Sequence, residues 1–181
     1  MEVRTLNEVK TDSKLKQLFC FLIKDTYTAE KKVIKFMPEL MESATSGELK
    51  MALGDHLQES TAHVQRLKEI FAMMNFEKEE GNCSAISGII REAKEIVDET
   101  HEETAQRDAG IIVAVQMIEH YEIATYSALI EMAKTIGHND AVALLQKNLE
   151  EEKKADEILT KTASTPGGVN EEAVKEPAEI D

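Results

Sequence analysis

The stretch over residues 109–130, Ala-Gly-Ile-Ile-Val-Ala-Val-Gln-Met-Ile-Glu-His-Tyr-Glu-Ile-Ala-Thr-Tyr-Ser-Ala-Leu-Ile, is apolar enough to be the centre of a fold, yet it carries Glu119 and Glu122. At about 100° per residue, both acids fall within the arc that holds Ile112, Val115, Tyr126 and Ile130. Both therefore point into a core. An unpaired carboxylate in a dry interior costs several kcal/mol, a large share of the roughly 5–15 kcal/mol that holds a domain together. Any fold for this chain must bring something that neutralises each acid.

The rest of the chain reads as helix. Aromatic residues make up 4% and Trp is absent, which disfavours sheet, and the three prolines stand at 38, 166 and 177. Leu15, Leu18, Phe19, Leu22, Ile23, Val33, Ile34, Met37 and Met41 form one stripe and predict a helix over residues 13–42. Residues 43–48 break it, and Thr45 with Glu48 has the spacing of a capping box. Leu49, Leu53, Leu57, Val64, Leu67, Ile70 and Phe71 carry a second helix to about residue 75. Residues 76–84 are polar with a Gly-Asn break and read as a loop. A shorter helix over 85–100 leads into a third long helix over 104–136. Gly137 suits its C-terminal cap, and Asn139 or Asp140 suits the N-cap of a fourth helix reaching about residue 163. Residues 165–181 are acidic and poor in large apolar side chains, so they read as a disordered tail behind one domain over 1–164.

Connection lengths then fix the topology. Short links within each long-helix pair make two antiparallel hairpins, whereas the long middle connection, with its own short helix, can cross the whole assembly. The expected fold is all-α, a ferritin-like antiparallel four-helix bundle with a long crossover. The net charge of −14 argues against nucleic acid as partner, because that affinity rests on Lys and Arg neutralising phosphates. No apolar run approaches the roughly 20 residues of a membrane helix. Cys20 and Cys83 lack ligand-type spacing and the N-terminus has no apolar signal core, so the cytoplasm is the expected compartment.

The acids converge on paper. Glu30 and Glu59 stand at nearly equal chain distances from the first turn, and Glu122 and Glu152 from the second, roughly 21–24 Å along each helix. Glu30 lies on the inner stripe of its helix, and Glu152 with Asp156 lies beside Leu145 and Leu159. His56 and His63 fall in the apolar arc of the second helix, with Glu59 toward its edge. Lys24, Lys31, Lys32 and Lys35 fall on the outer side of the first helix, as do Lys147, Lys153, Lys154 and Lys161 on the fourth. Only His56, His63, His120 and Arg66 remain as internal cations. Convergent carboxylates with one or two imidazoles are the ligand set for paired iron or manganese in a helical bundle. The candidate ligands are Glu30, Glu59, His63, Glu119, Glu122, Glu152 and Asp156, with Glu30 on one ion, Glu152 and Asp156 on the other, and Glu119 or Glu122 between them. A metal-free network of protonated and hydrogen-bonded acids is the alternative. Tyr27, one turn before Glu30, is either a partner of that ligand or a structural phenol.

Four segments carry a family resemblance: Leu-Ile-Lys-Asp-Thr-Tyr-Thr-Ala-Glu-Lys at 22–31, His-Leu-Gln-Glu-Ser-Thr-Ala-His-Val-Gln-Arg-Leu at 56–67, Glu-His-Tyr-Glu-Ile-Ala-Thr-Tyr at 119–126 and Leu-Glu-Glu-Glu-Lys-Lys-Ala-Asp at 149–156. At these residues the chain resembles the YciE/YciF family of ferritin-like stress proteins. The resemblance implies a five-helix protomer, a homodimer and a link to bacterial stress responses. The wider ferritin and rubrerythrin pattern places Glu on the first helix, Glu-x-x-His on the second, Glu-x-x-Glu or a single Glu on the third, and Glu-x-x-His or a related pair on the fourth. Glu30 and Glu119-x-x-Glu122 follow it. The second and fourth helices depart: Ala62 stands three residues after Glu59 with His63 one later, and Ala155 stands where a His would be with Asp156 following. The expected function is a stress-associated protein with a di-iron or di-manganese centre that consumes peroxide or oxidises ferrous iron. The other expectation is a non-enzymatic helical dimer that binds a partner.

Overall fold

The computed structural model describes residues 13–75 and 81–178; the N-terminal residues 1–12 read for a signal core, residues 76–80 of the predicted loop and tail residues 179–181 lie outside them. Among the described residues six helices follow in order: α1 (Lys14–Ser43), α2 (Gly47–Met74), α3 (Ser84–Asp98), α4 (Ala105–Ile136), α5 (Asn139–Ser164) and α6 (Val169–Lys175). Their ends have local causes. The Ser13 hydroxyl accepts from the Lys16 N–H at 3.2 Å and the Thr104 hydroxyl from the Arg107 N–H at 3.2 Å, each satisfying a donor that the first turn leaves free. α2 is capped by Ser46, whose hydroxyl accepts from the Leu49 N–H at 3.3 Å, rather than by Thr45. Thr45 and Ser46 instead donate their backbone N–H groups to the two oxygens of buried Asp108, both at 2.7 Å. A carboxylate at the start of α4 thus holds the α1–α2 turn. α4 ends as expected at Gly137, whose φ of 81° is the left-handed value that glycine adopts without strain. His138, not Asn139 or Asp140, is the residue before α5, and it makes no side-chain capping bond.

The four long helices form a ferritin-like antiparallel bundle. α1 packs against α2 and α4, and α5 packs against α4 and α2. Registers follow from side chains that meet across the seams. Tyr126 of α4 reaches Glu30 of α1 while Asp108 meets Thr45, so these two helices run in opposite directions. His63 meets Glu151 while Glu59 meets Lys154, which orients α2 against α5 in the same way. The crossover helix α3 lies over α4 and α1. Its approach to α4 is close enough that a β-carbon on Gly110 would stand 2.5 Å from Cγ2 of Ile96.

The core is not continuous. One apolar cluster gathers Val33, Met37, Leu53, Ile111, Val115, Ile118 and Leu159, and a second gathers Ile23, Tyr27, Val64, Leu67, Tyr126, Leu129 and Leu145. Glu30, His56, His63, Glu119, Glu122 and Glu152 all occupy chain positions between members of the two clusters. They form a polar layer across the middle of the bundle.

The tail departs from its expected disorder. Residues 169–175 form α6, Val169 is buried, and the Glu176 carboxylate accepts from the backbone N–H groups of Ala105 at 2.6 Å and Gln106 at 3.0 Å. Those donors belong to the first turn of α4, where free N–H groups and the helix dipole favour an anion. A tail too polar to fold by itself is held by that charge.

Candidate metal centre

All four long helices contribute to the polar layer: Glu30 from α1, His56 and His63 from α2, Glu119 and Glu122 from α4, and Glu152 from α5. Each is buried. They resolve into two groups whose potential ligand atoms lie within 4.8 Å of one another, His56 with Glu119, Glu122 and Glu152, and Glu30 with His63 and Glu152. Glu152 belongs to both.

Hydrogen bonding within the layer is lopsided. Nδ1 of His63 lies 3.1 Å from Oε1 of Glu30 and 2.9 Å from Oε1 of Glu152, while Nε2 lies 2.9 Å from Oε2 of Glu151. One Nδ1 hydrogen serves one of the two buried acids, and its direction gives it to Glu30. Glu30 Oε1 also accepts from the Tyr126 hydroxyl. His56 Nε2 stands 3.3 Å from the Ser60 hydroxyl and 3.4 Å from Oε1 of Glu119. Beyond these contacts the layer is short of donors. Both oxygens of Glu119, Glu122 and Glu152, Oε2 of Glu30 and Nδ1 of His56 are buried without a hydrogen-bond partner.

Protonation follows from that geometry. Burial raises the Glu122 carboxyl well above its usual range, and the charges of Glu30, Glu152 and Glu119 raise it further. Burial and the neighbouring Glu152 do the same to Glu119. Glu152 goes the other way: its burial is outweighed by His63 and His56, which hold it below the usual carboxylate range. Burial would lower His63, but the carboxylates of Glu30 and Glu152 overcome this and push it up to about 11. One imidazolium and the protons on Glu119 and Glu122 thus offset three of the layer's four carboxylate charges in its metal-free form.

The donor set fits divalent transition metals. Bare carboxylate oxygens and a free imidazole nitrogen, turned toward common points with no protein donor to satisfy them, are what iron or manganese takes in a helical bundle. A purely structural network leaves few such atoms orphaned.

Two expected ligands lie elsewhere. Asp156 accepts from Nε2 of Gln116 at 3.0 Å and faces His120 at 3.5 Å on the half-exposed α4–α5 seam. Four residues past Glu152 is a rotation of about 40°, enough to leave the centre. Glu59 is about 40–60° off the His56 and His63 directions. It sits at the α2–α5 edge, 3.8 Å from Lys154. The phenol that meets Glu30 is that of Tyr126, whereas Tyr27 packs edge-on against Phe71 with ring centroids 5.5 Å apart. Glu151, which was not among the candidate ligands, joins His63 to Arg66, whose Nη2 lies 3.0 Å from Oε1. Arg66 and the burial-opposed pull of His63 hold Glu151 below the usual range. Arg66, three residues after His63 on an inner arc, was the signal for it.

A family model described as a domain of unknown function, DUF892, matches residues 14–174. YciF from Escherichia coli K12 is 35% identical over 150 residues, 82% of this chain and 90% of that protein. The chain belongs to the YciF family. The solved structure of the E. coli stress protein YciF superposes with a TM-score of 0.80 at 32% identity, covering 91% of this chain and 99% of that one. YcfI of Rhodopseudomonas palustris, provisionally described as a structural protein, gives a TM-score of 0.81 at 36% identity, covering 84% and 96%. Among the described residues of this YciF-family chain, no helix is long and apolar enough to cross a membrane.

Proposed function

We propose that this YciF-family protein holds two iron or manganese ions in its polar layer and uses them to consume peroxide or to oxidise ferrous iron during stress. The observation that carries the reading is Glu152, buried, common to both ligand groups and, apart from the 2.9 Å ion contact of its Oε1 with His63, without a partner at its oxygens. Glu30 and His63 would serve one ion, and His56, Glu119 and Glu122 the other, with Glu152 shared. Bound there, the pair supplies two electrons together to a small oxidant.

The chain's own residues do the rest. In the metal-free form the Tyr126 hydroxyl and His63 Nδ1 hold Oε1 of Glu30 and leave Oε2 free; to serve an ion, Nδ1 gives up its proton and Tyr126 alone keeps Oε1 in place. The apolar clusters on either side wall off the layer along the bundle axis. Nε2 of His63 meets the partly exposed Glu151, so the proton that His63 must lose to serve an ion has a route to the surface. The E. coli relative YciF is described as a stress protein, which supports a role in stress for this chain.

A second reading has one observation in its favour. His63 already stands among three carboxylates as a resident cation, so the layer could serve as a structural network in a non-enzymatic scaffold. Peroxide separates the two. Fe(II)-loaded protein is expected to consume hydrogen peroxide faster than the same concentration of free Fe(II) in matched anaerobic buffer, and equal rates would remove the enzymatic reading.

A further inference from the structure

A cleft opens between α2 and α5 directly above the polar layer. Its volume is about 180 Å³. His56 and Glu119 form part of its floor, Ala52 and Ala155 line it with small side chains, and Glu59 and Lys154 stand among its outer residues. Both oxygens of Glu119 and Nδ1 of His56, on the two residues of that floor, are buried and without hydrogen-bond partners. Glu59 is one-quarter exposed, Lys154 two-thirds exposed, and their charged atoms lie 3.8 Å apart.

Given the metal pair proposed above, on which this rests, we infer that the cleft is the port through which a divalent cation reaches the centre, with Glu59 receiving the ion at the mouth and passing it to His56 and Glu119. A water molecule's share of liquid is about 30 Å³, so the space corresponds to about six waters. That admits an ion with part of its hydration shell, or a molecule of about benzene size. Glu59 is off the ligand directions but on the path, which explains a half-buried acid placed between solvent and the site. Lys154 is its exchangeable counter-charge: it neutralises Glu59 while no ion is present and, being long and exposed, swings away when one arrives. The acidic surface of the whole molecule gathers cations, and the cleft is where that field meets an opening to unpaired ligands.

The test is the rate of metal uptake. Metal-free protein is mixed anaerobically with Co(II), and the visible absorption of bound cobalt is followed at low ionic strength to its end-point. Glu59→Gln is expected to load about ten-fold more slowly, the lower end of electrostatic steering, yet reach the wild-type amount. Ala52→Phe, which fills the cleft, is also expected to slow loading without changing the end-point, and Lys154→Gln to accelerate it. Glu131→Gln removes the same charge from an exposed position near the far end of α4 and is expected to load at the wild-type rate. Because Glu59 is partly exposed, its variant keeps the test sound should Ala52→Phe misfold. Wild-type rates in both Glu59→Gln and Ala52→Phe, with full end-points, would overturn the port while leaving the metal centre standing. A reduced end-point in Glu59→Gln would make Glu59 a ligand and overturn its assignment to the port. No cobalt uptake by the wild type would overturn the centre itself, and the port with it.

Discussion

Neither carboxyl oxygen of Glu122 meets a hydrogen-bond donor, although the side chain is fully buried. Without metal, the group stays in the fold by keeping its proton. The sign of the pH dependence follows. With a folded pKa raised above the unfolded value, the native state binds more protons than the unfolded chain once pH exceeds the ordinary carboxyl range, so stability falls as pH rises from about 4.5. Glu119 acts in the same direction. His63, raised to about 11, adds its own loss as pH climbs from its unfolded value toward that point. Metal-free wild type is therefore expected to melt lower at pH 8 than at pH 5.5. Glu122→Leu, which replaces an orphaned acid with an apolar group of similar size, is expected to be more stable than wild type at pH 8 by about 1–3 kcal/mol, to show a shallower pH slope and to bind less metal. A destabilised metal-free variant with unaltered metal content would place Glu122 in a satisfied structural network. At this scale the sequence is legible where polarity contradicts its surroundings, which is why Glu30, Glu119, Glu122 and Glu152 stand out. Asp156, Glu59 and Glu151 show the limit. One position or some 40° of rotation separates centre from seam, and an apolar stripe does not resolve that angle.

Elements are legible when their own periodicity and caps specify them, and α6 shows what happens when they do not. It has seven residues, with Val169 as its buried residue, too little to predict burial from composition. What fixes the segment is tertiary: the Glu176 carboxylate on two N–H groups of the first turn of α4. The same dependence on distant partners appears at the α1–α2 turn, where Asp108 takes the N–H groups of both Thr45 and Ser46 and the Ser46 hydroxyl, not that of Thr45, caps α2. Glu176→Ala is expected to cost about 1 kcal/mol, the usual value of a lost helix-end anion or cap. For a domain of this size that lowers the melting temperature by about 2–4 °C. Removal of residues 165–181 is expected to lower it further, since Val169 is lost as well. An unchanged melting temperature in a differential scan of the truncated protein would show that the tail does not dock.

For the whole molecule, connection length was the informative quantity. Two tight turns and one long crossover admit few arrangements of four amphipathic helices, and the equal heights of acids about those turns place them in one layer before any contact is known. What the pattern did not specify is which acid is common to both halves. Glu152 takes that position because α5 faces α4 and α2 together, so its side chain reaches His56 and Glu119 on one side and His63 on the other. The central claim is that this layer, its charge largely offset by protons when empty, is built for two cations. Anaerobic calorimetric titration of metal-free protein with Mn(II), repeated in buffers of different ionisation enthalpy, measures ions bound and protons released together. The expected result is about two ions per chain with net proton release, as deprotonated carboxylates replace Glu119 and Glu122 in their acid forms. Absence of saturable binding, or binding with no proton release, would contradict it.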